Sequence, residues 1–118
     1  METTLLSKTF TASSDIAAYR IITFHNKDYE VKQATANTQS LIGVSGEFDA
    51  KAQEPIDVKM VGIVRVRYGG NVTRGTLVTT NQNGEAITAA SNNNFLGIAL
   101  LSGKDNEIGS VLLSPGFR

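Results

Sequence analysis

The chain has 118 residues, with 11 Lys and Arg against 11 Asp and Glu, and it contains neither Cys nor Trp. The length fits one domain over residues 1–118, and the lack of Cys excludes disulfides, thiolate zinc sites, iron–sulfur clusters and thiol catalysis. A formal net charge of zero argues against a basic nucleic-acid-binding protein, so we expect no nucleic-acid partner.

The beginning of the chain shows no basic leader and no long apolar run. We therefore expect synthesis in the cytoplasm, a soluble protein and no membrane partner. Residues 2–10 are partly apolar and rich in Thr, a residue type that favours strands. This segment is either an ordinary first strand of the domain or an extended arm within residues 1–10. Residues 13–18, with Ser13 or Ser14 as N-cap, predict one short helical turn.

Alternation of apolar and polar residues predicts strands along the rest of the chain. It is clearest in residues 56–68, where Gly62 lies between two alternating halves and predicts a bulge or bend. Further strands are predicted at residues 19–24, 29–34, 41–44, 76–80, 85–89, 95–101 and 110–114. Asn83-Gly84 predicts a hairpin between two of them. Many short strands in a small chain predict an all-β fold, either a small β-barrel or a sandwich-like domain.

Catalytic patterns are absent from the sequence. His25 is the only His and lies beside a predicted turn, so we interpret it as a turn residue. The pairs Asp28/Glu30 and Glu47/Asp49 lie in polar segments, where solvation should keep both members ionised. We therefore expect no enzyme activity, no metal and no cofactor. An enzyme would have to use His25 or the Glu47/Asp49 pair.

Basic residues in and after the predicted strand 56–68 form a candidate stripe. The stripe comprises Lys59, Arg65 and Arg67, with Arg74 as a further candidate. It is interpreted as a charged solvent face that limits sheet aggregation, with an acidic protein surface as the alternative contact.

Several segments follow one another in an order typical of a known family. They are Leu41–Val44 (Leu-Ile-Gly-Val), Glu54–Ile63 (Glu-Pro-Ile-Asp-Val-Lys-Met-Val-Gly-Ile), Gly70–Thr79, Asn83–Ala86, Phe95–Ala99 and Val111–Gly116, the last ending in Ser-Pro-Gly. In this combination the sequence resembles the head decoration, or capsid cement, proteins of tailed bacteriophages.

The resemblance implies a non-enzymatic structural protein with a β-tulip-like fold and an N-terminal extended arm. It implies binding to the outer surface of a phage capsid, stabilisation of the expanded head and location in the virion. The implied partners are the major capsid protein and further copies of the chain, as a homotrimer. The best candidate for the capsid-binding segment is the arm, which could add a strand to the edge of a capsid sheet. Its candidate residues are Thr3, Thr4, Leu5, Leu6, Lys8 and Phe10.

A second interpretation is a small β-barrel binding module for carbohydrate or peptide, carried on a phage tail or fibre. Its site would be a shallow aromatic patch formed by Tyr19, Phe24, Tyr29 and Tyr68.

Overall fold

A computed structural model describes residues 2–117, which form nine strands. The strands are β1 (Thr3–Ala12), β2 (Ile21–Phe24), β3 (Glu30–Gln33), β4 (Gly43–Ser45), β5 (Pro55–Arg67), β6 (Leu77–Thr80), β7 (Ala86–Thr88), β8 (Asn94–Ala99) and β9 (Ile108–Phe117). The all-β prediction is confirmed. Within residues 2–117, no helix has the length and apolar character needed to cross a membrane.

All nine strands belong to one sheet, which closes on itself at one end. The strand order is β1-β3-β2-β4-β5-β9-β8-β6-β7, and β1 also pairs with β5. The first five strands of this order therefore form a closed ring, and the other four extend from β5 as an open sheet. The β1–β3 pairing is parallel and the remaining strand pairings are antiparallel.

Strand β5 links two hydrophobic core clusters. Ile56 and Val58 lie in a cluster with residues of β1, β2 and β3, whereas Val64 and Val66 lie in a cluster with residues of the open sheet. The alternation seen in the sequence thus places one side of the whole strand inside the domain.

Gly62 lies between the two halves of β5, as predicted for a bulge. It has a φ of 118°, and a Cβ there would collide with the carbonyl oxygen of Thr3. The register of β1 against β5 shifts at this point, between Thr4 and Leu6. Glycine allows both the positive φ and the close approach of β1.

The predicted helical turn at residues 13–18 is wrong. Ile16 forms an isolated bridge with Ala50 and is buried. The N–H of Ala17 donates to Oε1 of Gln33, and the N–H of Ala18 donates to Oδ1 of Asp49. These long-range partners satisfy the backbone groups and hold the segment in an irregular conformation.

The predicted hairpin around Asn83-Gly84 is present between β6 and β7. Gly84 has a φ of 72°, which the turn requires. The side-chain oxygen of Asn81 accepts hydrogen bonds from the N–H groups of Asn83 and Glu85, and these bonds fix the turn.

Candidate docking surface

The candidate capsid-binding segment lies in β1, which runs antiparallel to β5 from Thr3, opposite Ile63, to Thr11, opposite Pro55. Leu5 and Leu6 are 74% and 54% exposed, whereas Phe10 is only 7% exposed and packs in the core. Thr3, Thr4 and Lys8 are also exposed. Five of the six candidate residues thus lie on the surface, and Phe10 anchors the strand. We refer to Thr3–Phe10 as the β1 arm.

One edge of the β1 arm is unpaired. At the far end of β1, the N–H of Thr11 donates to the carbonyl of Tyr29, next to β3, and the N–H of Ala12 donates to the carbonyl of Glu54, next to β5. Backbone groups alternate in direction along a strand, so those of Ser7 and Thr9 point away from β5. Among residues 2–117, β3 pairs on that edge only with Thr11 and Ala12. This open edge leaves the backbone groups of Ser7 and Thr9 available to another chain.

Apolar side chains cross the outer face of the open sheet in one continuous row. The strand register places Ile63 opposite Leu112, Leu112 opposite Ile98 and Ile98 opposite Leu77. Directly opposed residues of neighbouring strands share a face, and here it is the face opposite the buried Val64 and Val111. We call these four residues, Ile63, Leu112, Ile98 and Leu77, the outer apolar row.

The outer apolar row continues onto the β1 arm. Leu6 lies opposite Val61, which is 43% exposed, and Leu112 in the row is 40% exposed. Ile63, Leu77 and Ile98 are half-buried, so the row is a partly exposed apolar surface, and an apolar surface that extends over several strands is typical of an interaction site. This row was not predicted from the sequence. The uninterrupted apolar run Val111-Leu112-Leu113 indicates it, because a strand with apolar residues on both faces tends to be covered on both faces.

The basic residues do not form one free stripe. Lys59 pairs with Glu2, and Nε of Arg67 lies 3.1 Å from a carboxylate oxygen of Glu85. Arg74 lies in the turn before β6, where its N–H donates to the hydroxyl of Ser102. Two of the four charges are thus paired with carboxylates within the domain.

The predicted patch of four aromatic residues is not formed. Tyr68 is fully buried, and its hydroxyl donates to the carbonyl of Leu101. Phe24 and Tyr29 remain exposed and flank a pocket of about 450 Å³ on the turn between β2 and β3. Phe10, His25, Asn26, Lys27 and Asp28 complete the lining. The ammonium of Lys8 lies 5.6 Å from the centre of the Tyr29 ring.

The candidate acid–base residues lie in two places. His25 and Asp28 line the pocket on the turn, whereas Glu47 and Asp49 line a second pocket, where Asp49 accepts a backbone hydrogen bond from Ala18. Among residues 2–117, no three side chains of His, Asp or Glu gather into a group that could hold a metal ion.

The fold and its exposed chemistry define an all-β binding domain, with an adhesive apolar surface and an open strand edge. A family model described as "Phage cement protein" matches residues 2–113, so the chain belongs to the phage cement protein family. Its role is structural, and it binds a phage capsid. No curated protein matches the chain.

A solved structure shares the fold of this chain. It is the crystal structure of the head fiber gp8.5 N base in bacteriophage phi29, with a TM-score of 0.76 and 23% sequence identity. The match covers 92% of this chain and 93% of the phi29 chain. The arrangement of strands is therefore that of a known phage head protein.

Proposed function

We propose that this protein attaches to the outer surface of the expanded phage head through the β1 arm and holds neighbouring copies of the major capsid protein together. The observation that carries the proposal is the exposure of Leu5 and Leu6, at 74% and 54%, beside an unpaired strand edge. Two large apolar side chains at adjacent exposed positions are unfavourable in water and favour contact with a partner. The proposal includes no catalytic step.

Adhesion of this kind stabilises a shell by the sum of many modest contacts. Burial of apolar surface contributes about 25 cal/mol per Å² before the costs of association. Each bound copy stabilises only the form of the shell that it recognises, so binding to the expanded form shifts the shell toward that form. Phe10 and Ala12 fix the far end of β1 in the core, so that the arm is held in position before it binds.

We further propose that the protein associates with itself as a homotrimer through the outer apolar row. The row lies on the open sheet, whereas the unpaired edge lies on the ring formed by the first five strands. Because the row meets the arm at Leu6, opposite Val61, the proposal assigns the row to contact with other copies and the unpaired edge, with Leu5 and Leu6, to contact with the shell.

The experiment is a co-sedimentation assay with purified protein and expanded heads that lack it. The variant combines Leu5→Ser and Leu6→Ser, and Leu101→Ser is the matched control because Leu101 is 51% exposed but lies outside the arm and the row. We expect the double variant to bind at least about tenfold more weakly, since two apolar contacts are lost. Unchanged binding of the double variant would refute the proposal.

Point variants are preferable to removal of residues 2–10. Residues Thr3–Thr11 pair with β5, and Phe10 belongs to the core, so removal of this segment would open the ring and expose β5. Loss of binding by a truncated chain would then report loss of the fold and not loss of the contact.

A further inference from the structure

We propose that the open edge of the β1 arm accepts an extended segment of the shell protein as an added strand, and that the pocket between Phe24 and Tyr29 receives an apolar side chain from that segment. The inference rests on the proposed function, because it assumes that the arm faces the shell. It specifies the mode of binding: the arm stays in its own sheet and accepts a strand on its second edge.

The hydrogen-bonding pattern of β1 determines which groups take part. The arm keeps its pairing with β5, opposite Val58 at Lys8 and opposite Ile56 at Phe10. Ser7 and Thr9 point the other way and each present one N–H and one C=O at the spacing of a regular strand. Two residues of an incoming strand can therefore form a short ladder that recognises backbone and not sequence.

The pocket lies where this open edge ends. The next N–H along that edge belongs to Thr11 and donates to the carbonyl of Tyr29. An added strand must therefore stop at the turn that carries Phe24 and Tyr29. The side chain of Phe10, the last residue of the arm, forms part of the pocket. A ladder along Ser7 and Thr9 thus leads to this pocket, whose aromatic residues Phe10, Phe24 and Tyr29 can receive one apolar side chain.

The backbone of Tyr29 gives independent support for a binding role of this turn. Tyr29 has a φ of 65°, a conformation that is unfavourable for a residue with a large side chain. Tyr29 is nevertheless 67% exposed, and the ammonium of Lys8 lies 5.6 Å from the centre of its ring. Strained residues of this kind cluster at binding sites, where they orient a side chain toward a partner.

Charge on the arm favours a partner other than a second copy. If two arms paired antiparallel with Ser7 of one copy opposite Thr9 of the other, Lys8 would lie opposite Lys8, and like charges directly opposed are unfavourable. A segment of the shell protein with an acidic side chain near Lys8 and an apolar side chain at the pocket fits both features.

Proline at position 9 tests the added strand. Thr9→Pro removes an N–H that the β5 ladder does not use, so the variant should fold with a melting temperature close to that of Thr9→Val, which likewise loses the hydrogen bond from the Thr9 hydroxyl to Asp57. Thr9→Val is the matched control, because it keeps the N–H and the β-branched shape. In co-sedimentation with expanded heads we expect Thr9→Pro to bind about 10-fold to 100-fold more weakly and Thr9→Val to bind normally. Normal binding of a folded Thr9→Pro would overturn the inference.

A second variant decides the matter if Thr9→Pro does not fold. Tyr29→Asn removes the ring and keeps a residue type that tolerates positive φ, so it should fold. We expect weaker head binding and an unchanged oligomeric state. Normal head binding by Tyr29→Asn, or a changed oligomeric state, would overturn the inference. Loss of binding to a glycan array, with head binding retained, would also overturn it. If Thr9→Pro and Tyr29→Asn bind normally while the Leu5/Leu6 variant does not, the added strand is wrong and the proposed function stands.

Discussion

The ring of Tyr68 occupies the space that a side chain at position 109 would need. A Cβ built on Gly109 collides with the ring and with the hydroxyl of Tyr68. Tyr68 follows β5, Gly109 belongs to β9, and Val66 is the direct partner of Gly109 across the ladder. Tyr68 has the largest fully buried side chain of the core. Because Gly109 has no side chain, the Tyr68 ring can extend across β9, and its hydroxyl donates to the carbonyl of Leu101.

This relationship predicts that Gly109→Ala destabilises the fold. The added methyl group must displace a ring that is fully buried, so the free energy of unfolding should fall by about 1–3 kcal/mol or more. Gly70→Ala is the control, because its Cβ would meet only Cγ2 of Ile87, at 3.9 Å. Urea denaturation of both variants measures the difference. Equal stabilities would contradict the packing described for Tyr68.

The ionisation of Tyr68 predicts loss of stability at high pH. Burial raises the pKa of Tyr68 above its ordinary value of 10.0, and a backbone hydrogen bond at Ser110 partly opposes this rise. The unfolded chain therefore releases the proton first, and stability falls as pH rises above about 10. Urea midpoints between about pH 8 and pH 11 should fall more steeply for the unchanged protein than for Tyr68→Phe. Parallel curves would show that Tyr68 ionises equally in both states.

The carboxylate of Glu85 connects the β6–β7 hairpin to the closed ring of strands β1 to β5. It lies 3.1 Å from Arg67 and 3.9 Å from Arg20, and it accepts a hydrogen bond from the side-chain amide of Asn81. Glu85→Gln keeps the shape but leaves two partly buried guanidinium groups without their anion. We expect a loss of about 1–3 kcal/mol in thermal or urea unfolding, against less than about 0.5 kcal/mol for the exposed Glu47→Gln. An unchanged stability would mean that solvent screens both ion pairs.

Local patterns predicted most of the strands because side-chain alternation reports directly on which face is buried. The alternation of β5, the bend at Gly62 and the hairpin at Asn83-Gly84 all depend on near neighbours in the chain. Each was predicted from the sequence and is present in the structure.

Features that depend on distant contacts were not predictable in this way. The segment at residues 13–18 resembles a helix start, but side chains of Gln33 and Asp49 bind its N–H groups. Tyr68 was predicted to belong to a surface aromatic patch, but it is buried, because Gly109 leaves room for its ring. The outer apolar row is complete only once β5, β9, β8 and β6 are aligned, so the apolar run Val111–Leu113 indicates only the part of the row that lies in β9.

The outer apolar row predicts a variant that separates self-association from head binding. Leu112→Glu places a charge at the centre of the row on the solvent side of β9, so the fold should persist while contacts between copies weaken. Sedimentation equilibrium should show a trimer for the unchanged protein and a monomer for Leu112→Glu, with Ser114→Glu, exposed on the same strand, as the control. A monomeric unchanged protein would contradict the homotrimer. A trimer of Leu112→Glu would show that the contact between copies lies outside the row.

The most direct test of the central claim is cryo-electron microscopy of expanded heads saturated with the purified protein. The account predicts density for the domain on the outer surface of the shell, with Leu5 and Leu6 of the β1 arm against the major capsid protein. Density with the β1 arm directed toward solvent, or heads that carry none of the protein, would contradict it.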